Sequence, residues 1–182
     1  MNHLEAVVKL DNVINLEIIN KLIPFINHRA KRNMATLLAV DKNVRNVKGH
    51  QLKYDKDPTD VFYWNFIKKE IERLYYFYKI KFPQMASHKI NQIDLLKYSV
   101  GGKYNVHTDN FTGLNRHLSI IMNLNDDYKG GDLIFADQKL NEIKRLKLGK
   151  GSIVFFPSNF MYPHGIQPIT KGTRYSIVAW LE

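Results

Sequence analysis

The chain has no cysteine, so no disulfide can brace it and any metal it binds must be held by nitrogen and oxygen. No apolar run approaches the length of a membrane span, and residues 1–9 lack the positively charged opening and long apolar core of an export signal. A cytoplasmic location without membrane contact is the resulting expectation. Internal repeats, low-complexity tracts and linkers are also missing. At 182 residues the chain can bury one good core and is too short for two ordinary domains. Acid is in short supply: 17 Asp plus Glu stand against 27 Lys plus Arg, a formal charge of +10. That excess can steer a protein to acidic peptides or nucleic acid. The basic residues are nonetheless scattered through 42–56, 68–81 and 139–150, with no run interleaved with aromatics, which argues for a solvated surface over a nucleic-acid groove.

The first half reads as helical. Leu16, Ile19, Leu22, Ile23 and Ile26 recur at helical spacing over 15–29, where Pro24 predicts a bend or an early stop. A stronger helix is predicted over 57–82. Asp57 is placed to cap it, Pro58 to start it and Asp60 to sit in its first turn. Val61, Trp64, Ile67, Ile71, Leu74, Tyr75 and Tyr78 fall down one side, and the helix's aromatics read as core. Residues 30–56, rich in Lys, Asn and Asp and without periodicity, read as a loop. Within this region and the residues after it, 42–59 has so few apolar residues that a mobile lid near an open site is the expectation.

From residue 91 the pattern changes to short strands between turn signals, predicted at 92–98, 104–108, 117–124, 132–136, 141–147, 152–156 and 173–181. Gly130-Gly131 suits a tight turn, and Gly101-Gly102 a bend ahead of residue 107. In 117–124, Leu118, Ile120, Met122 and Leu124 make an apolar face; Ser119, Ile121 and Asn123 make a mixed one, the candidate pocket wall. In the last strand Arg174, Ser176, Val178 and Trp180 share one side. The fold class expected is mainly β with supporting helices (α+β): one domain over 1–182, with a helical support over 1–90 and a double-sheet jelly roll over 91–182.

His107 and Asp109 lie two apart, so on an extended segment both side chains point the same way. A second imidazole downstream, His164, would complete a two-histidine, one-carboxylate set that leaves metal positions open for other ligands. Arg174 follows ten residues later, a guanidinium suited to clamping a carboxylate in bidentate fashion. His3, His28, His50 and His88 have no partner spacing and default to surface or satisfied positions.

The order of parts resembles the 2-oxoglutarate and iron(II)-dependent dioxygenases of the prolyl 4-hydroxylase type. Their pattern is met by Tyr98, Gly101, Tyr104, His107 and Asp109, then Leu124-Asn125, Gly130-Gly131-Asp132-Leu133-Ile134-Phe135 and Lys150-Gly151 with Phe155-Phe156. His164-Gly165, Gly172-Thr173-Arg174-Tyr175 and Trp180 complete it. The resemblance covers about half the chain, from residue 91 on. It implies a jelly-roll (double-stranded β-helix) core and an enzyme using Fe(II), 2-oxoglutarate and O2, with ascorbate left open as an accessory. It assigns the metal to His107, Asp109 and His164, and one 2-oxoglutarate carboxylate to Arg174. Tyr98 and Asn123 become further cosubstrate contacts, Trp180 packs beside the pocket, and Tyr104 and Arg116 belong to the substrate mouth. Hydroxylation of a peptidyl proline, releasing succinate and CO2, is the leading expectation, and it implies a protein or peptide partner. A free amino acid or another protein side chain is the alternative target. A non-catalytic, cupin-like metal-binding or sensor module is the alternative of another class, and the intact pair Arg174 and Tyr98 weighs against it. Two departures matter. Arg174 stands where collagen-type relatives use lysine, which weakens the analogy to collagen. Trp180 stands where nucleic-acid demethylases of the superfamily carry a second arginine, which weighs against base repair.

Overall fold

The computed structural model describes residues 3–36, 39–86, 89–111, 113 and 115–182; His88 lies outside them. A short 3-10 turn (His3–Ala6) leads into β1 (Val8–Leu10), α1 (Leu16–Arg29), β2 (Arg32–Asn33), β3 (Arg45–Asn46), β4 (Lys48–Gln51) and α2 (Pro58–Lys81). The strands of the second half are β5 (Ile90–Tyr98), β6 (Lys103–His107), β7 (Leu118–Asn123), β8 (Lys129–Gly130) and β9 (Leu133–Ala136). They continue with β10 (Glu142–Leu146), β11 (Ser152–Pro157), β12 (His164–Ile166), β13 (Ile169–Lys171) and β14 (Arg174–Leu181). One antiparallel sheet runs β1-β11-β7-β14-β5-β4-β2, and a second runs β10-β9-β12-β6-β3.

Because successive side chains on a strand point to opposite faces, each central strand of the large sheet feeds two cores. Leu95, Ile120, Phe155 and Ile177 pack outward against Leu22 and Ile26 of α1 and Ile67, Ile71 and Leu74 of α2. Their neighbours Leu96, Ile121 and Phe156 point inward and meet Leu133, Phe135 and Ile166 of the small sheet. The inner core is the inside of a roll, and the helices cover its outer wall. Among the described residues, no helix is long and apolar enough to cross a membrane.

Both helices start on side-chain caps: Asn15 accepts from the Glu17 amide, and Asp57 from the amides of Thr59 and Asp60. Pro24 does not end α1, which continues to Arg29. Proline removes the amide that would bond the Asn20 carbonyl, but both residues are on the exposed side, where water can take the place of that donor. The aromatics of α2 divide. Trp64, Tyr75 and Tyr78 are buried as expected, while Phe62 and Tyr76 are 63% and 64% exposed and Phe77 is 49% exposed. Asp60 is buried on the inner side next to half-buried Val61; its carboxylate lies 2.8 Å from His50 Nε2 and 3.3 Å from Arg29 Nη2, tying α1, β4 and α2 together.

The largest correction concerns residues 30–56. They are not a loop: β4 adds to the large sheet beside β5, β2 pairs with β4, and β3 pairs with β6 of the small sheet. Val47 and Leu52, flanking β4, are each 2% exposed. Within the segment 42–59, residues 45–46 and 48–51 are thus built into the two sheets, because backbone pairing supplies the anchorage its few apolar side chains could not.

Ile71 has no exposed surface, so Ile71→Ala is expected to cost about 2–5 kcal/mol in denaturant unfolding. Phe62→Ala, on the exposed face, should stay within about 0.5 kcal/mol of the parent.

Candidate metal centre and its cavity

β12 pairs antiparallel with β6 so that His164 stands directly opposite His107, and Asp109 follows two residues after His107 on the same side. One ligand atom from each of the three residues lies within 4.8 Å of the other two. The Asp109 carboxylate sits between the imidazoles, 3.5 Å from His107 Nε2 and 3.4 Å from His164 Nε2. His107 Nδ1 is 2.8 Å from the Asn105 carbonyl and His164 Nδ1 is 3.1 Å from that of Tyr162. A carbonyl oxygen can only accept, so each Nδ1 donates and each Nε2 keeps the lone pair that a metal needs. Ser119 Oγ donates to Asp109 at 2.6 Å, with Ser158 Oγ 2.8 Å behind it.

The electrostatics favour the same assembly. Burial by itself would push the Asp109 carboxyl up; the neighbouring His164 and His107, together with the hydrogen bond from Ser119, hold it well below the usual carboxylate range. Burial pushes the His164 imidazole down to about 4, against the opposing pull of Asp109. A neutral imidazole beside an ionised carboxylate is the protonation state of a metal ligand set.

One wall of the cavity is the inner face of β14. Arg174 is 1% exposed, its Nε donates to Asn123 Oδ1 at 2.9 Å, and its guanidinium carbon lies 5.3 Å from the centre of the Tyr98 ring. Arg174 Nη2, Ser176 Oγ and Trp180 Nε1 are buried polar atoms without a hydrogen-bond partner. Buried groups that can donate are costly unless something accepts from them, and a carboxylate is the acceptor this wall suits. Asn123 is fully buried; its Nδ2 donates to the carbonyls of Asn125 and Leu148 at 2.7 and 3.1 Å. The structure therefore turns the Asn123 amide towards Arg174 and the backbone, not into the cavity. Gly131 makes room for that arginine: its φ is +70°, and a Cβ there would lie 2.4 Å from Ile169 Cδ1 and 3.3 Å from Arg174 Cδ.

Tyr98, Tyr104, Trp180 and Arg116 all line the cavity. The Tyr104 ring stacks on His107 at 3.6 Å. Arg116 is 8% exposed, buried although it borders the cavity. Its guanidinium lies over the Trp180 ring at 3.7 Å and donates to Gln92 Oε1 at 2.9 Å, so a flat aromatic surface and an amide take the place of water. Three polar lining residues went unnoticed in the sequence: Arg45, Gln92 and Asp94. Arg45 lies in the segment read as a loop. Gln92 and Asp94 share a strand face with Tyr98, so alternation along β5 was the signal that could have found them.

Residues 93–182 match the model of the 2OG-Fe(II) oxygenase superfamily. A PKHD-type hydroxylase of Synechococcus sp. (strain CC9902) is 36% identical over 98 residues, covering 52% of this chain and 42% of that protein. A PKHD-type hydroxylase of Idiomarina loihiensis is 26% identical over 102 residues, covering 54% and 45%. The match spans less than half the length of these curated relatives. Among solved structures, a Pseudomonas putida prolyl-4-hydroxylase superposes with a TM-score of 0.76 at 17% identity, over 97% of this chain and 92% of that one. A prolyl hydroxylase from Trichoplax adhaerens, solved with a hypoxia inducible factor oxygen degradation domain peptide fragment, gives 0.76 at 16% identity, over 99% and 86%. At those identities the likeness is one of fold, the double-stranded β-helix.

Replacing His107, Asp109 or His164 singly by alanine should abolish most of the affinity for a divalent ion, read with Mn(II) by calorimetry. Ser119→Ala, which removes the bond to Asp109 and the link behind it to Ser158, should weaken it by about tenfold. Undiminished Mn(II) binding in any of the three alanine variants would remove that residue from the ligand set.

Proposed function

Residues 93–182 belong to the 2OG-Fe(II) oxygenase superfamily, and from that premise we propose that the protein is a dioxygenase that hydroxylates an unactivated carbon while converting 2-oxoglutarate to succinate and CO2. The observation that carries this reading is the pairing, in one cavity, of a two-histidine, one-carboxylate cluster with a buried arginine whose Nη2 has no partner. A module that only bound metal would have no use for that arginine.

The residues fit the cofactors of the superfamily. His107, Asp109 and His164 would hold Fe(II) with two nitrogens and one oxygen. When bound, Fe(II) with 2-oxoglutarate and O2 supplies the oxidising chemistry. The chain supplies position and dryness. Hydrogen bonds to the Asn105 and Tyr162 carbonyls set both imidazoles, and Ser119 sets the carboxylate. Arg174, steadied by Asn123, would hold the remote carboxylate of 2-oxoglutarate, with Tyr98 and Trp180 beside it. Leu96, Ile121, Ile166 and Val178 line the space between and keep water from it.

For the target we propose a prolyl residue of a protein or peptide. Support comes from the fold shared with prolyl hydroxylases and from the way the cavity continues outward past Thr36, Val44, Thr108 and Phe111, which gives an extended chain somewhere to lie. Tyr104 and Arg116 border both the inner and the outer part.

The iron-loaded protein should release succinate from 2-oxoglutarate, and a turned-over peptide should gain the mass of one oxygen atom. Arg174→Ala should raise the 2-oxoglutarate requirement by about tenfold to a hundredfold, the worth of a charge-assisted bond, with Mn(II) binding nearly unchanged. Unaltered 2-oxoglutarate affinity in that variant would show that the carboxylate is held elsewhere.

A further inference from the structure

Asp94 is 1% exposed and lines both the inner cavity and its outer continuation. Its Oδ1 accepts from Gln92 Nε2 at 2.9 Å. Among the described residues, nothing donates to Oδ2 and no cation forms an ion pair with the group. Asp60 shows a buried aspartate with charged partners from the fold: 2% exposed, its Oδ2 has His50 at 2.8 Å and the Lys53 amide at 3.2 Å, and its Oδ1, without a hydrogen bond, is ion-paired with Arg29 at 3.3 Å. Asp109, the other buried acid of the cavity, faces two imidazoles and a serine. Asp94 alone of the three takes its hydrogen bond from a neutral amide and has no cation in direct contact, Arg45 and Arg116 acting on it only at longer range.

The nearby arginines, Arg45 and Arg116, favour its ionised form through space but form no ion pair with it. Arg116 lies over the Trp180 ring and donates to Gln92 and the Asp109 carbonyl, and Arg45 lies over the Tyr104 ring and donates to the Ala35 carbonyl, each leaving its Nε without a partner. Gln92 keeps Asp94 and Arg116 apart, accepting from one and donating to the other. A carboxyl buried in this way costs free energy unless a partner arrives, and here a partner can arrive only through the cavity. Register fixes where it would sit. Asp94 lies opposite Val178 of β14, on the strand face that runs from Tyr98 to Gln92, and so away from the Arg174 end and towards Arg116 and the opening.

We propose that Asp94 determines specificity by binding a cationic nitrogen of the substrate, an ammonium or guanidinium next to the carbon that is hydroxylated. The inference rests on the dioxygenase reading and adds to it the charge of the substrate. A peptidyl proline has no N–H of its own to offer, so in a peptide the cation must come from a basic neighbouring residue; in a free amino acid it is the α-ammonium. Burial pushes the Asp94 carboxyl up against the opposing pulls of Gln92, Arg45 and Arg116, and a bound cation in direct contact would hold it ionised.

The test uses the protein loaded with Mn(II) and 2-oxoglutarate for binding by calorimetry, and with Fe(II) for succinate release. The probes are acetylated, amidated peptides with proline flanked by lysine or by norleucine, and free L-amino acids against their N-acetyl derivatives. The cationic member of the favoured pair should bind about tenfold to a hundredfold more tightly. Asp94→Asn, nearly identical in shape, should remove the preference, and Asp94→Glu should restore part of it. Preference among the peptides identifies a basic side chain as the source, and preference among the free acids identifies the α-ammonium. Equal binding of charged and neutral probes, no binding of any cationic probe, or an unchanged preference in Asp94→Asn would overturn the proposal. Failure of 2-oxoglutarate itself to bind would instead sink the dioxygenase reading, and the inference with it.

Discussion

The antiparallel register of β6 with β12 is the constraint on which the site depends. It sets His107 across from His164, and the two-residue periodicity of the strand then brings Asp109 to the same face. A slip of one residue would turn His164 to the other side of the small sheet and leave the Asp109 carboxylate facing one imidazole. The register is defended on both sides of β12: Ile166 pairs with Tyr104 of β6 and with Leu133 of β9, and the inner core fills around these contacts. The metal cluster is thus a by-product of a well-packed roll, and its precision is that of the core.

The large sheet does the complementary work. Its inner face carries Ser119 and Asn123 on β7, Arg174 and Trp180 on β14, and Asp94 and Tyr98 on β5, while the same strands bury aliphatic residues under the helices. Polar function on one face is possible because the other face supplies the cohesion. Asn123 illustrates the division: it gives every polar atom to holding Arg174 and neighbouring carbonyls, so a long flexible cation is delivered to the cavity already oriented.

Most of this was legible where periodicity and motif spacing coincide. Alternation in 117–124 separated the mixed face that now holds Asp109 through Ser119 and Arg174 through Asn123, and the spacing of His107, Asp109 and His164 gave the cluster. What escaped had no local signature. β4 is Lys-Gly-His-Gln, with nothing apolar to announce a strand; it exists because the backbone of β5 offers it hydrogen bonds. Arg45 reached the cavity by the same route. The burial of Arg116 depends on an indole that is distant in sequence, and α1 survives Pro24 because the lost bond faces solvent, which only the packed structure reveals.

The margins of the two sheets have a consequence of their own. β2 and β3 are two residues long, β1 three, and β10 carries Glu142, Lys144 and Arg145 across an irregular register. Short or charged borders give a foreign extended chain little backbone to zip onto. Strand addition is thereby a poor route both for self-association and for holding a visiting polypeptide. Whatever selectivity it has towards such a visitor must be read out by side chains around the cavity mouth.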